Sequence, residues 1–498
     1  MKHKKLIYIS AIIFAAIFIL CTIGSFILEY KVDQLAKDKG GIYYTDIDIS
    51  ILGRSVDLEN FNLWSPASTD TIIKAESISM SDLSWWNLVI NKKLKCNTIT
   101  LNSALIDHSS YPVKKKKVIN TIKAMSIDAI VIQNTNINYV DKNRNSLQVD
   151  NLNLKIEDIE ITDSITLNTC HANEISFSVD AFNYIPYNKN YFYKTGSVDY
   201  NGDKSTLIID DLNIAPQYTD VEWKTINPYK PSSLDWKVKK LNLDDIDIIK
   251  SIKNKSLDIE SLTIDQGKLI VNIMKPSISC TDCYKPFIHQ QLRELDIPVS
   301  VPAVSIKNCK VTLDIDGKNS QPLTVTFDEI SGNMYNISNI PEKLQIAPKA
   351  TANLNALFMN ETPMDVDFSF DLDSDLYGYS YDASIKGMNM TYLNNIFDQS
   401  QPVAIENGKL QTLNFSVNGD NSKATGTMDL DYTGLKLVVL KNNGNKKKLA
   451  TMILRLITKK DSDGHVTGNM ESERINSKGI FHQWWITIID GFKSTILE

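Results

Sequence analysis

Apolar and polar residues alternate one for one along much of the chain. In DIDISIL (46–52), Ile47, Ile49 and Ile51 fall on one side and Asp46, Asp48 and Ser50 on the other. MDVDFSFDLD (364–373) repeats the scheme with Met364, Val366, Phe368, Phe370 and Leu372. A period of two is that of a strand with one apolar and one wet face. The same alternation returns at 152–161, 311–315 and 410–417, so strands are predicted to dominate from 42 to about 440. Such strands suit an antiparallel sheet, because parallel sheets are buried on both faces and read as unbroken apolar runs.

A short phrase punctuates this pattern. LENFNL (58–63) returns as VDNLNL (149–154) and IDDLNI (209–214), and more loosely as IQNTNI (132–137), IDQGKL (264–269), IKNCKV (306–311) and IENGKL (405–410). Asn, Asp and Gly tolerate left-handed backbone angles, which places them where one strand reverses into the next. Each copy therefore reads as strand, tight connection, strand, and the repetition predicts an array of hairpins. Helical patterns at 116–126, 243–254, 285–296 and 390–400 precede the four looser copies, giving a recurring unit of helix, strand, Asn/Gln turn and strand.

The carboxyl end departs from the pattern. KKKLATMILRLITKK (446–460) and GIFHQWWITIIDGFKSTIL (479–497) read as amphipathic helices. In the second, Phe481, Trp484, Trp485, Ile488, Ile489, Phe492 and Ile496 fall at helical spacing. A Trp-rich apolar face suits a membrane interface, or it plugs the end of a sheet.

At the other end, LIYISAIIFAAIFILCTIGSFIL (6–28) carries no charge and is long enough to cross a hydrocarbon core. Lys2, Lys4 and Lys5 precede it, which leaves residues 1–5 in the cytoplasm and the chain after Glu29 outside. The run exceeds the h-region of a signal peptide and no small-x-small site follows, so it reads as an uncleaved anchor with a linker at 29–41. Lys114 to Lys117 either touch anionic headgroups or form a solvated loop.

A net charge of -6 argues against a nucleic-acid partner. Six cysteines are too few for a disulfide scaffold in 498 residues. Cys280 and Cys283 form a lone CxxC without the second pair or spaced histidines of a zinc site. They read as a local disulfide in an oxidising compartment or as two loop thiols. His3, His108, His171, His289, His465 and His482 are dispersed, and HExxH, GxSxG and GxxxxGK[ST] are missing. The alternating carboxylates read as the wet side of strands and not as an acid/base pair. No catalytic residue, metal or cofactor is predicted; a membrane-anchored hydrolase would need a polar cleft.

Residues 55–106 resemble the amino-terminal module of the AsmA-like family of Gram-negative envelope proteins. That module reads as a strand with an "l.nv.l" phrase followed by spaced apolar positions. Here these are Leu58 to Leu63, then Ala75, Ile78, Met80, Leu83, Leu88, Leu94, Ile99, Leu101 and Ile106. The resemblance implies a mainly β fold: an elongated, curved β-sheet groove of the kind found in bridge-like lipid transfer proteins, with a few short helices. It also implies an inner-membrane anchor, a periplasmic location and a role in moving phospholipids between membranes. On this basis the chain divides into an AsmA-like β module with a helix (42–126), a repeating groove (127–440) and an amphipathic helical segment (441–498).

A sheet with one apolar face must hide that face, and the few short helices cannot cover it all. Either the strands fold into sandwich modules with dry cores, or they curl and leave a trough for lipid tails. On the trough reading Ile47, Ile49, Ile51, Met364, Val366, Phe368, Phe370 and Leu372 line it, while Phe481, Trp484, Trp485, Ile488 and Phe492 meet the membrane interface. The alternative is a non-transporting envelope scaffold or assembly regulator built of β modules.

Overall fold

Strand dominates, as the alternation predicts, in a computed structural model that describes residues 29, 42–64, 71–109, 124–162, 170–187, 189–278, 283–316, 323–395, 403–439, 460–462 and 464–496. The predicted anchor at 6–28, the linker beyond Glu29, Lys114 to Lys117 and the predicted helix at 446–460, except Lys460, lie outside the described residues. Among the described residues no helix is long and apolar enough to cross a membrane. Two compact units divide the chain, Met1–Ile209 and Asp210–Glu498.

The first unit is a mixed sheet. Its strands are β1 (Ile42–Tyr43), β2 (Asp46–Ser50), β3 (Ser55–Trp64), β4 (Thr71–Ser81), β5 (Lys93–Ser109), β6 (Ala124–Val140), β7 (Ser146–Thr162), β8 (Cys170–His171), β9 (Glu174–Val179), β10 (Ala181–Ile185), β11 (Tyr191–Thr195) and β12 (Val198–Asn201). The start of β13 (Thr206–Pro216) completes it. One short helix, α1 (Trp85–Val89), lies between β4 and β5. Of the predicted helix at 116–126, residues 124–126 belong to β6.

The second unit continues with α2 (Asp220–Ile226), β14 (Ser233–Asp244), α3 (Ile248–Asn254), β15 (Leu257–Asp258), β16 (Ser261–Ile273), α4 (Ile288–Arg293) and β17 (Val299–Ile315). It goes on through β18 (Leu323–Ser338), α5 (Pro341–Ile346), β19 (Lys349–Phe358), β20 (Thr362–Asp371), β21 (Tyr379–Lys386), a 3-10 turn (Met390–Asn395), β22 (Val403–Gly419), β23 (Lys423–Val439) and β24 (Val466–Glu473). A final helix, α6 (Ile480–Ile496), ends it.

Pairing is not antiparallel throughout, which corrects the sequence expectation. The β5–β6, β15–β17 and β16–β17 pairs are parallel. A hairpin cannot join parallel neighbours; they need a crossover of about a dozen residues or more. The stretches 110–123 and 274–298 supply that length, the second carrying α4.

A second correction concerns the repeated phrase. Every copy lies inside a strand, none at a reversal: in β3, β6, β7, β13, β16, β17 and β22. In six of the seven the third residue is left-handed, namely Asn60, Asn134, Asn151, Asp211, Gln266 and Asn308, with φ between 48° and 53°. In β22 the following residue, Gly408, takes φ 157° instead. One left-handed residue advances the two-residue side-chain alternation by a single step. Val149 and Leu152, or Ile132 and Thr135, would otherwise point to opposite faces; with the step, both sides of the crease present the same face.

The creases line up from strand to strand. Register places Asn60 beside Glu76, Glu76 beside Ser103, and Ser103 beside Asn134; in the second unit it places Gln266 beside Asn308. The N–H groups freed from the ladder find side chains of the same phrase. Asn134 donates its N–H to Asn153 Oδ1 at 3.1 Å, and Asn151 donates to Asn136 Oδ1 at 2.9 Å. Thus in these two copies the second Asn satisfies the backbone of the neighbouring strand. Ser331 Oγ does the same for the Asn308 N–H at 3.1 Å.

A β-branched residue fits the left-handed region poorly, whereas glycine is free there. Asn134→Val is therefore expected to cost about 1–2 kcal/mol and Asn134→Gly about 0.5 kcal/mol or less. Urea unfolding of the two variants beside the parent checks this; equal losses would contradict it.

Candidate functional site

Register in the first unit assembles one apolar face from many strands. Ile47, Leu58, Ile78, Leu101, Ile132, Leu154, Phe177, Tyr200 and Leu207 are successive cross-strand partners. At ~4.8 Å between strands this row runs for about 40 Å. A parallel row joins Ile49, Val56, Met80, Ile99, Ile130, Ile156 and Ile175. The opposite face holds the row Asp48, Asp57, Ser79, Thr100, Val131, Lys155 and Ser176.

The apolar rows are only half-covered. Apart from Ile49 and Tyr200, every residue in both is neither buried nor fully exposed. One closed patch of this unit is formed by Leu83, Cys96, Ile127 and Ile159, which pack with Trp85 and Leu88 of the α1 region; Ala75, Ala104 and Thr135, at the crease beside the rows, are buried as well. In a sandwich the rows would meet a second layer and approach the exposure of Leu83, 2 %.

The second unit mixes half-covered and dry positions. Along the row Leu243, Leu262, Val304, Met334, Ala352, Phe368, Tyr381, Val417, Gly426 and Met470, the side chains of Leu243, Leu262, Met334 and Phe368 are half-buried, while Val304 and Ala352 among them are buried. Tyr381, Val417 and Met470 at the far end are 3 %, 0 % and 1 % exposed.

Helix α6 contributes to that closure, with Phe287 before α4, Leu344 of α5 and Met390 and Leu393 of the 3-10 turn. Trp484 stacks on Phe368 at 5.2 Å and meets Tyr381 at 5.4 Å, Phe370 at 6.4 Å and Tyr379 at 6.4 Å. Burial pushes the Tyr379 and Tyr381 hydroxyls well above the usual tyrosine range. The helix also covers the outer edge of β24, where unpaired strand groups would invite another chain. Gln483 donates to Ser472 O at 3.0 Å, Ser494 Oγ donates to Asn469 O at 2.7 Å, and the Glu471 N–H donates to Asp490 Oδ2 at 2.9 Å. Gly491 permits the close approach: a Cβ there would lie 2.8 Å from Met428 and Met470.

These contacts decide where the predicted site residues stand. Ile47 and Ile51 are half-buried, and Ile49 is buried with its N–H donating to Glu29 Oε1 at 3.1 Å. Met364, Val366 and Phe368 pack from the side against the dry core that contains Phe370 and Leu372. The last two are enclosed by protein and line no open trough. Of the predicted interface residues, Phe481 is exposed, Trp484, Trp485 and Ile488 pack on the core, and Phe492 is buried in it. The helix thus plugs the sheet end, the second of the two arrangements its sequence allowed.

Other chemistry is sparse. Cys96 and Cys309 are free and buried, with thiols pushed up chiefly by burial. Cys283 is disulfide-bonded, and Cys280 lies outside the described residues. Among the described residues no group of three His, Cys, Asp or Glu side chains could hold a metal. Asp365, Asp367, Asp382 and Asp429 line an open depression on the polar face of β20–β23. Asp367 accepts from Asn353 Nδ2 at 2.6 Å, and His465 Nδ1 lies 2.7 Å from Asp429. No protein-family model matches the chain, and no curated protein matches it.

Removing the Trp484 ring would leave a void among Phe368, Phe370, Tyr379 and Tyr381. Trp484→Ala is expected to destabilise the second unit by about 3 kcal/mol and to speed amide exchange along β24, measured by hydrogen exchange with mass spectrometry. Unchanged exchange in β24 would show that the helix does not depend on this ring.

Acid should loosen the same end. Burial, then Lys478, Arg474 and Lys285, push His482 from 6.5 down to about 4. Burial also lowers His289, whose Nε2–H donates to Tyr377 O at 2.9 Å. The unfolded chain therefore takes up these protons first, and stability present above pH 6.5 is lost as pH falls toward about 4. His482→Gln is expected to flatten the fall in melting temperature between pH 7 and pH 4.5, about the two ends of that titration window. An identical pH profile in the variant would contradict it.

Proposed function

We propose that this chain is an AsmA-like β-groove protein that binds phospholipid acyl chains and supports lipid transport between the membranes of an envelope. The segment 6–28 would hold it in the inner membrane, with the sheet in the periplasm. The half-covered apolar rows of the first unit carry the reading. A sheet face of this length with no second layer among the described residues is costly in water, and each methylene of a lipid tail laid on it gains about 0.8 kcal/mol. Continuity of aliphatic residues across strands serves such a ligand; no convergent polar constellation is required.

The groove follows from the crease. With side-chain alternation reset in β5 and β6, Ile132 and Ile137 stay on the same side as Leu101 and Ile106, and on this reading that side turns inward at the crease. The dry block under α6 favours a second reading for that part of the second unit, a scaffold surface for envelope proteins. A stable complex purified free of lipid would support it.

Photoreactive residues test the main reading. At Leu101 and Ile132 they are expected to capture phospholipid in cells, while at the adjacent Thr100 and Val131, which face the other way, they are not. Ile132→Asp should lower capture at Leu101 by about tenfold or more, the order expected from one charge on an acyl-binding surface. Equal labelling at Thr100 and Leu101, or none at either, would refute the proposal.

A further inference from the structure

Several cations of the second unit pair with a carboxylate: Lys224 with Asp316 at 2.8 Å, Lys239 with Asp211 at 2.8 Å, and Lys343 with Asp258 at 2.7 Å. The N-terminal end of α6 is different. Arg474 spends its guanidinium on neutral carbonyls, donating to Lys285 O at 2.7 Å, to Ile475 O at 3.0 Å and to Lys478 O, and lies over the Phe287 ring at 4.1 Å. Those bonds, with the Lys285 N–H donating to Asn476 O at 2.8 Å, clamp the segment before α4 to the turn before α6. Lys230 joins from another loop, its Nζ donating to Tyr284 O at 3.3 Å.

The Lys285 side chain is drawn across the start of the helix. A Cβ on Gly479 would lie 3.2 Å from Lys285 Cε and 3.7 Å from its Nζ. An ammonium at a helix N-terminus faces the positive end of the macrodipole, the unfavourable arrangement. The charges that act on Lys285 come from Lys230, Lys478 and Arg474, and those that act on His482 from Lys478, Arg474 and Lys285; all are positive. Like charges held together by backbone clamps, with no carboxylate among the described residues acting on either group, leave an unmet demand for an anion.

We propose that Lys230, Lys285 and Lys478, gathered at the start of α6, bind a phosphate group carrying one or two negative charges. The cluster adjoins the aromatic block: Phe287, under Arg474, meets Tyr379 edge-on at 5.7 Å. A phosphate here therefore stands beside the dry aromatic block. Assigning it to a lipid headgroup rests on the acyl-binding reading above; a free phosphate would use the same three ammonium groups.

Full-length protein is titrated with inorganic phosphate and, separately, with dihexanoyl phosphatidic acid kept monomeric, by calorimetry. Both are expected to bind, and Lys285→Gln/Lys478→Gln should weaken each by tenfold or more. Lys230→Gln/Lys478→Gln, which changes two exposed lysines and spares the clamped segment, should weaken them similarly. Ring titration of His482 by NMR should move upward when phosphate binds, a response that a purely structural lysine cluster would not give. Displacement of the lipid by inorganic phosphate supports the site as a general phosphate site, and resistance to displacement supports a headgroup site. No binding, or binding unchanged in both double variants, overturns the inference. Lipid capture at Leu101 separates the two proposals: capture without phosphate binding sinks this one alone, and phosphate binding without capture sinks the acyl-chain reading alone.

Discussion

One left-handed residue in mid-strand is the constraint on which this molecule depends. A strand of period two that bends at a bulge would turn its apolar residues from one face to the other. Asn134, Asn151, Gln266 and Asn308 prevent that by advancing the alternation one step where the strand bends. The exchange of N–H bonds between Asn134 and Asn153, and between Asn151 and Asn136, ties the step in one strand to the step in the next. Because of the steps, apolar residues on the two sides of the crease, such as Ile132 and Ile137, share one face.

From this follows the contrast between the two ends of the described chain. In the first unit the bent sheet leaves its apolar rows half-covered. In the second, α6 lies over the last strands, inserts Trp484 among Phe368, Phe370, Tyr379 and Tyr381, and satisfies the edge of β24. The closed stretch is built by α6 together with Leu344 of α5 and Met390 and Leu393 of the 3-10 turn. The lysines at the start of that helix place a concentrated positive charge where the covering begins.

Much of this was legible in the sequence, and the errors are physical. Strands were readable because alternation is a local signal; β2 and β20 fall where DIDISIL and MDVDFSFDLD place them. The repeated phrase was visible too, but its left-handed Asn is equally the chemistry of a turn and of a bulge. The discriminating feature is the three-residue spacing of the apolar positions around it. Ser103, Asp158 and Glu329 take the same left-handed angle with no Asn to announce it, yet Leu101 and Ala104, Ile156 and Ile159, and Phe327 and Ile330 keep the spacing. Register and parallel pairing were not legible, since Leu101 meeting Ile132 depends on partners distant in sequence. The helix at 480–496 was predicted from periodicity, whereas its partner surface was not, because a Trp-rich face serves a bilayer and an aromatic sheet equally well.

The most direct test of the central claim is whether lipid occupies the apolar side of the first unit and avoids the polar side. Full-length protein carrying a bimane label at Ile132 or at Lys155 is reconstituted in vesicles containing a nitroxide phospholipid, and quenching is compared. The account predicts strong quenching at Ile132 and little at Lys155. Equal quenching at both positions, or a label at Ile132 shielded from lipid, would contradict it.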